Sequence, residues 1–214
     1  MALKVISFAA YLTRTDEQWR GEDWNAQKFV KAVKGKHVNG YAWVPVCGNS
    51  RYLSESNADD SIGWFGEMAA KYLTEHPTLA SLLVPVPNSD CTTKNRKLPR
   101  TLRLAEAIAS RVKRMKVWDG LRWKIEMTPS SKGGTRDPQI LYDNLVVTEK
   151  LPVGRVILVD DVRTTGAHLI ASAARIKTKG GTCRLALCAG RTVLAQEENP
   201  FEVGDEEHDD FEPQ

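Results

Sequence analysis

Two adjacent carboxylates, Asp160 and Asp161, close the apolar run VILV and are followed by Thr164-Thr165-Gly166, all within VILVDDVRTTGAHL, residues 156–169. The residue types set the chemistry. Backbone amides of such a turn, joined by the first amides of a following helix, converge on an anion with the helix dipole behind them. Gly166 permits close approach of the backbone, and the hydroxyls of Thr164 and Thr165 can donate to phosphate oxygens. Val162, Arg163, Ala167 and His168 complete the stretch as candidate phosphate-binding positions. Carboxylates directly before a phosphate cradle repel the phosphate unless they serve another group. A carboxylate accepts two hydrogen bonds, which suits the vicinal hydroxyls of a ribose. An acidic pair followed by a cradle therefore fits a ribose 5-phosphate.

Such a site needs a buried strand to deliver the carboxylates and a helix to close the turn. From Leu79 onward the chain alternates apolar runs with helical patterns, which predicts an α/β fold: an open parallel β-sheet flanked by helices. SLLVPVP (81–87) reads as a strand stopped by its prolines, and RTLRLAEAIASRVKR (100–114) as a helix with Leu102, Ala105, Ile108, Ala109 and Val112 on one face. LRWKIEM (121–127), NLVVT, VGRVILVDD (153–161) and TCRLALCAG (182–190) read as strands. AHLIASAARIKTKGG (167–181) reads as a helix ending at paired glycines. TPSSKGGTRDP (128–138) has the composition of a mobile loop. In the first 78 residues, VISFAAYL reads as a first strand, YAWVPV (41–46) as a strand and GWFGEMAAKYLTEH (63–76) as a helix. The aromatic and lysine mixture at 15–37 reads as an amphipathic helix with a wet lysine face, although such a mixture also suits nucleic acid.

The 214 residues suit one domain with an elaborated part: 1–78 as an N-terminal hood or first part of the domain, 79–195 as the core, and 196–214 as an acidic, disordered tail. No apolar run approaches 18 residues, which excludes a spanning helix. The apolar stretch near the N-terminus is too short for a signal peptide. Four cysteines without a CxxC pair argue against a zinc ribbon and for buried free thiols in a reducing cytoplasm. Residues 196–214 hold nine carboxylates and no lysine or arginine, so residues 1–195 carry 30 basic groups against 18 acidic ones. A basic body fits phosphorylated ligands or nucleic acid, and the tail could dock a protein partner.

The register of apolar strand, two acidic residues, two further residues and Thr-Thr-Gly resembles the phosphoribosyl-pyrophosphate (PRPP) motif of the type I phosphoribosyltransferases. The resemblance covers about 80–192. LVPVP leading into NSDCTTKNRKLPR (88–100) stands where that family has a pyrophosphate-binding loop, which makes Asn88, Ser89, Lys94, Arg96, Lys97 and Arg100 its implied ligands. Residues 128–138, with Ser130, Ser131, Lys132 and Arg136, stand where the family has a flexible loop that closes over the reacting centre. The PVP, basic loop and following helix are also similar to ComF-like competence proteins.

The resemblance implies binding of Mg²⁺ with PRPP, no protein residue ligating the metal directly, and transfer of the 5-phosphoribosyl group to a nitrogen nucleophile with release of pyrophosphate. Asp160 and Asp161 would hold the ribose hydroxyls and stabilise the positive charge developing at C1. It equally admits a non-catalytic PRPP- or nucleotide-binding regulatory or competence protein acting with nucleic acid or protein partners. Homodimers are common in the family. Three departures stand out: His168 replaces the family's usual threonine, Thr164 stands where 6-oxopurine enzymes carry an acidic residue, and no four-cysteine zinc module is present.

Overall fold

The chain's most apolar segment sits at the centre of its architecture. In the computed structural model, which describes residues 2–14, 16–95, 97–129 and 132–214, β9 (Arg155–Arg163) lies between two parallel neighbours, β5 (Leu82–Pro85) and β10 (Thr182–Val193). Leu158 pairs with Ala186 on one side and Val84 on the other. Both faces of these strands are covered by helices, which explains runs of apolar residues in place of an alternating pattern. The sheet continues past β10 through β1 (Leu3–Ser7) and β2 (Ala10–Leu12), both parallel to β10, and past β5 through β6 (Lys116–Val117). Its order, starting from β11 (Glu206–His208) at the edge, is β11-β1-β10-β9-β5-β6, with β2 on the far part of the long β10.

Successive β9 side chains feed opposite cores, as the period of a strand requires. Ile157 and Val159 join α1 (Gly21–Val33), α2 (Asp60–Glu75) and α3 (Arg100–Ala109) through Phe29, Phe65 and Ile108. Val156 and Leu158 join α4 (Pro138–Asn144) and α5 (Ala167–Lys177), together with the small hairpin β7 (Leu121–Trp123) and β8 (Leu145–Val147). A second hairpin, β3 (Tyr41–Val46) and β4 (Asn49–Ser54), turns Ala42, Val44, Val46 and Leu53 into the first core. The expected open parallel sheet flanked by helices is therefore the observed architecture. No helix among the described residues is long and apolar enough to cross a membrane.

Several boundaries differ from expectation for local reasons. The helix from Arg100 stops at Ala109, where the side chains of Ser110 and Arg111 both donate to the Ala107 carbonyl. The strand expected over 121–127 ends at Trp123, because the Asn144 side chain takes over pairing with the backbone of Ile125. Among the described residues of 15–37 the only helix or strand is α1, with Phe29, Val30 and Val33 buried. Residues 1–78 supply β1 and β2 to the main sheet besides α1, α2 and the β3–β4 hairpin.

The disordered tail expected over 196–214 is corrected. This segment forms β11 (Glu206–His208), antiparallel to β1 at the sheet edge. Val203 is buried, Phe201 lies 6.3 Å from Phe29 between ring centres, and the Pro200 carbonyl accepts from the Ala10 amide at 2.6 Å. Its acidic residues are counter-ions for the basic body: Asp205 pairs with Lys4, Glu197 with Arg191 at 2.7 Å, Glu206 with Arg163 at 2.9 Å and Asp210 with Lys177 at 2.8 Å. Charge that is segregated along the sequence is interleaved in space.

Candidate functional site

Open parallel sheets place ligands beyond the carboxyl ends of their strands. At that edge a cleft of about 490 Å³ crosses β5, β9, β10 and β2. Its floor is the end of β9. The Asp161 amide donates to Asp160 Oδ1 at 2.8 Å, and Lys34 Nζ lies 3.7 Å from Asp161 Oδ1. Burial, followed by the neighbouring Asp161 charge, pushes the Asp160 carboxyl well above the usual carboxylate range.

On the α5 side, Gly166 caps the helix in the left-handed region at φ +83°. Its positive φ lets the turn double back into α5, whose first-turn amides have no carbonyl one turn earlier in the helix. The Thr165 hydroxyl accepts from the Ala167 amide at 3.5 Å. Thr164 and His168 line the cleft. The His168 ring stands edge-on to Trp123 at 5.7 Å, and burial lowers its pKa. Burial thus favours the neutral imidazole, which has one N–H to donate.

On the β5 side, the chain leaves the strand through Pro87, Asn88 and Ser89, which line the cleft. This turn is fixed from behind. Trp123 Nε1 donates to the Asn88 carbonyl at 3.0 Å, Thr101 Oγ1 to the Val86 carbonyl at 2.6 Å, and the Arg100 amide to Asn88 Oδ1 at 2.6 Å. Arg136 and Pro129 come from the 128–138 segment to line the same cleft.

Eight of the residues singled out in the sequence thus share one cleft: Asp160, Asp161, Val162, Thr164, His168, Asn88, Ser89 and Arg136. Others do not. Arg163 is taken by Glu206 of β11, and Thr165 is exposed and does not line the cleft. Gly166 and Ala167 are buried and contribute backbone. Lys94 and Lys132 are exposed and do not line the cleft, and Lys97 is paired with Asp90 of its own loop. The Arg100 guanidinium packs against Gly35, whose φ of +61° and missing side chain make room for it. Arg96, Ser130 and Ser131 lie outside the described residues.

Residues that sequence reasoning did not single out also line the cleft: Tyr11 and Thr13 at the end of β2, Thr192 on β10, and Lys34 and Lys36 after α1. Lys34 Nζ sits 5.7 Å from the centre of the Tyr11 ring. Burial, then the Lys34 charge, lowers the Lys36 pKa. The signal was present as Lys-Gly-Lys at the end of a helix, but that spacing is also that of an ordinary solvated helix end.

No family model matches the sequence, and no curated protein matches it. Among solved structures, the chain is similar to an adenine phosphoribosyltransferase from Thermoanaerobacter pseudethanolicus, 14% identical over 76% of this chain and 99% of that one, with a TM-score of 0.42. A second similar structure is the adenine phosphoribosyltransferase of Trypanosoma brucei in complex with AMP, pyrophosphate and ribose-5-phosphate, 11% identical over 81% of each chain, with a TM-score of 0.43. A third is a hypoxanthine phosphoribosyltransferase from Staphylococcus aureus, 10% identical over 64% of this chain and 69% of that one, with a TM-score of 0.34.

Proposed function

We propose that this protein binds PRPP with Mg²⁺ in the cleft and transfers the 5-phosphoribosyl group to a nitrogen nucleophile, releasing pyrophosphate. One observation carries the reading. A single cleft gathers an acidic pair, a glycine-capped helix start and the turn after β5, the three parts that a ribose bearing phosphate groups at both ends requires. Its volume of about 490 Å³ is that of a small-ligand site.

In this reading the 5′-phosphate sits on the turn 164–168 and the ribose hydroxyls donate to Asp160 and Asp161. The high proton affinity of apo Asp160 falls when hydroxyl donors replace the apolar surroundings. The carboxylates then stabilise the cationic character that grows at C1 as the C1–O bond breaks and its electron pair leaves with pyrophosphate. The nitrogen lone pair forms the new C1–N bond, and the proton on that nitrogen passes to solvent. Asn88, Ser89 and Arg136 face the departing group.

Among the described residues no cluster of three or more His, Cys, Asp or Glu side chains could hold a metal ion. Mg²⁺ would enter on PRPP, and the carboxylates available to it in the cleft would be those of Asp160 and Asp161. The ion would supply charge neutralisation on the pyrophosphate.

A second reading, a PRPP- or nucleotide-binding regulator without catalysis, is favoured by Lys94 and Lys97. These two of the cations expected for the leaving group are not among the residues that line the cleft: Lys94 is exposed and Lys97 is paired with Asp90. Calorimetric titration of Mg-PRPP into the wild type and the Asp160→Asn/Asp161→Asn variant tests the site. Saturable binding lost in the variant supports it, and equal binding by both overturns the ribose assignment. Pyrophosphate release on adding nucleobases separates transferase from regulator. The cytoplasmic setting, a homodimer, and nucleic acid or protein partners belong to the same proposal.

A further inference from the structure

The cleft has two ends, and the order of the strands tells them apart. Asn88 and Ser89 follow β5 on one side of β9, while Thr192 and the Tyr11–Thr13 segment belong to β10 and β2 on the other. The helix start that cradles phosphate lies on the α5 face of the sheet, and the residues after α1 reach the cleft from the opposite face. With the ribose over Asp160 and Asp161 and pyrophosphate toward Asn88 and Ser89, the β2–β10 end is left for the nucleophile.

That end is cationic. Lys34 and Lys36 line it on either side of Gly35, against which the Arg100 guanidinium packs, and the cleft-lining side chains from the β2 and β10 segments, Tyr11, Thr13 and Thr192, are all uncharged. The carboxylate facing Lys34 is Asp161, at 3.7 Å, and it belongs to the ribose-binding pair at the middle of the cleft. Lys34 is held in place: its side chain is only 19% exposed, and its ammonium lies over the Tyr11 ring. Lys34 and Lys36 thus have between them one facing carboxylate, which they share with the ribose hydroxyls.

We propose that this end selects an acceptor heterocycle carrying negative charge at neutral pH, as a ring carboxylate or an ionised imide; the proposal rests on the PRPP reading of the cleft. Asp161 keeps its charge when it accepts the ribose hydroxyls, but it is one facing carboxylate for two ammonium groups; a neutral base leaves that excess positive charge uncompensated, whereas an anionic one supplies the counter-charge, and such differences set specificity. The three hydroxyl groups of Tyr11, Thr13 and Thr192 provide neutral hydrogen bonds around the charge without competing for it.

Product nucleotides test the proposal by equilibrium binding, independently of turnover. Orotidine 5′-monophosphate and uridine 5′-monophosphate differ by one ring carboxylate. Xanthosine 5′-monophosphate and adenosine 5′-monophosphate contrast an ionisable imide with a neutral purine. All four are titrated by calorimetry, beside Mg-PRPP, into wild type, Lys34→Gln and Lys36→Gln. The expected result is that orotidylate binds at least tenfold tighter than uridylate, or xanthylate at least tenfold tighter than adenylate, and whichever pair shows it identifies the source of the charge. The lysine variants then bring that ratio to within about threefold of unity. Because the readout is a ratio, a general loss of folding or of phosphate binding cancels. Ratios near one in the wild type, tighter binding of adenylate than of either acid, or a preference that survives both variants overturns the inference while Mg-PRPP binding still supports the underlying reading. A folded protein that binds neither Mg-PRPP nor any of the four nucleotides overturns both.

Discussion

The imidazole of His208 rests against Gly166, so that a β-carbon at Gly166 would lie 2.7 Å from the ring. The last strand of the chain thereby buttresses the turn that opens α5. Glu206, two residues earlier on the same face of β11, holds Arg163 at 2.9 Å just before that turn. The acidic C-terminal segment is thus part of the framework of the candidate site.

Gly166→Ala is expected to destabilise the protein by two separable routes. A left-handed φ costs a side-chain-bearing residue about 1–2 kcal/mol, and the new methyl group must displace His208. Urea unfolding of Gly166→Ala, His208→Ala and the double variant measures both. The cycle should show that removing the imidazole recovers part of the alanine penalty. Additivity of the two single changes within about 0.3 kcal/mol would remove the contact from the argument.

Ending the chain at Gly204 should lower the melting temperature on the order of 5 °C or more, given that 1 kcal/mol shifts a domain of this size by about 2–4 °C. The loss comes from the β1–β11 ladder and from stranding Arg163, whose side chain is only 15% exposed. Exposed pairs such as Lys177–Asp210 contribute little to it. An unchanged melting temperature would return residues 205–214 to the status of a solvated tail.

Asp160→Asn is expected to stabilise the ligand-free protein at pH 7 while abolishing ribose binding. The folded-state pKa of Asp160 lies above its unfolded value, so between the two the native state holds the extra proton and stability falls as pH rises. The contribution is fully present below the unfolded value near pH 4 and is lost as pH climbs through the folded one. An asparagine cannot ionise, so its advantage over the wild type should be clear at pH 7 and vanish near pH 4. A melting-temperature difference that is independent of pH across that range would show that Asp160 titrates normally in the fold.

What could be read from the sequence was what depends on local pattern. The buried strand ending in Asp160 and Asp161, the turn at Gly166 and the helix after it are written in one continuous stretch, with apolar, acidic and glycine residues each in a position only one local geometry satisfies. What escaped depends on long-range pairing. Lys34 and Lys36 reach the cleft because α1 packs beside β2 and β10, separated from β9 by more than 120 residues of chain. Glu206 and His208 belong to a segment whose composition is that of a disordered tail; only the open edge of β1 and the basic side chains of a distant strand turn it into β11. Lys94 and Lys97 erred in the other direction. Their charge suited a pyrophosphate loop, but Asp90, seven residues before Lys97, holds that side chain to its own loop.

Thiol chemistry offers a check on the two elements that flank the site. Cys47 is exposed at the β3–β4 turn, whereas Cys91, Cys183 and Cys188 are reduced and shielded. Burial pushes the Cys91 thiol up to about 11 and Cys183 to about 12, and Cys188 moves well above its ordinary value for the same reason. Only the thiolate reacts with iodoacetamide, and at pH 8 a thiol of pKa about 11 is ionised on the order of one part in a thousand. Native protein at pH 8 should therefore label one cysteine within minutes, at Cys47, and all four once denatured in guanidinium. Mass spectrometry of the labelled peptides assigns each site. Rapid labelling of Cys183 or Cys188 in the native protein would contradict the placement of β10 inside the sheet. Slow labelling confined to Cys91 would measure opening of the turn after β5, because the Cys91 amide is hydrogen-bonded to the Asn88 carbonyl at 2.9 Å and cannot be reached while Asn88 and Ser89 hold their place in the cleft wall.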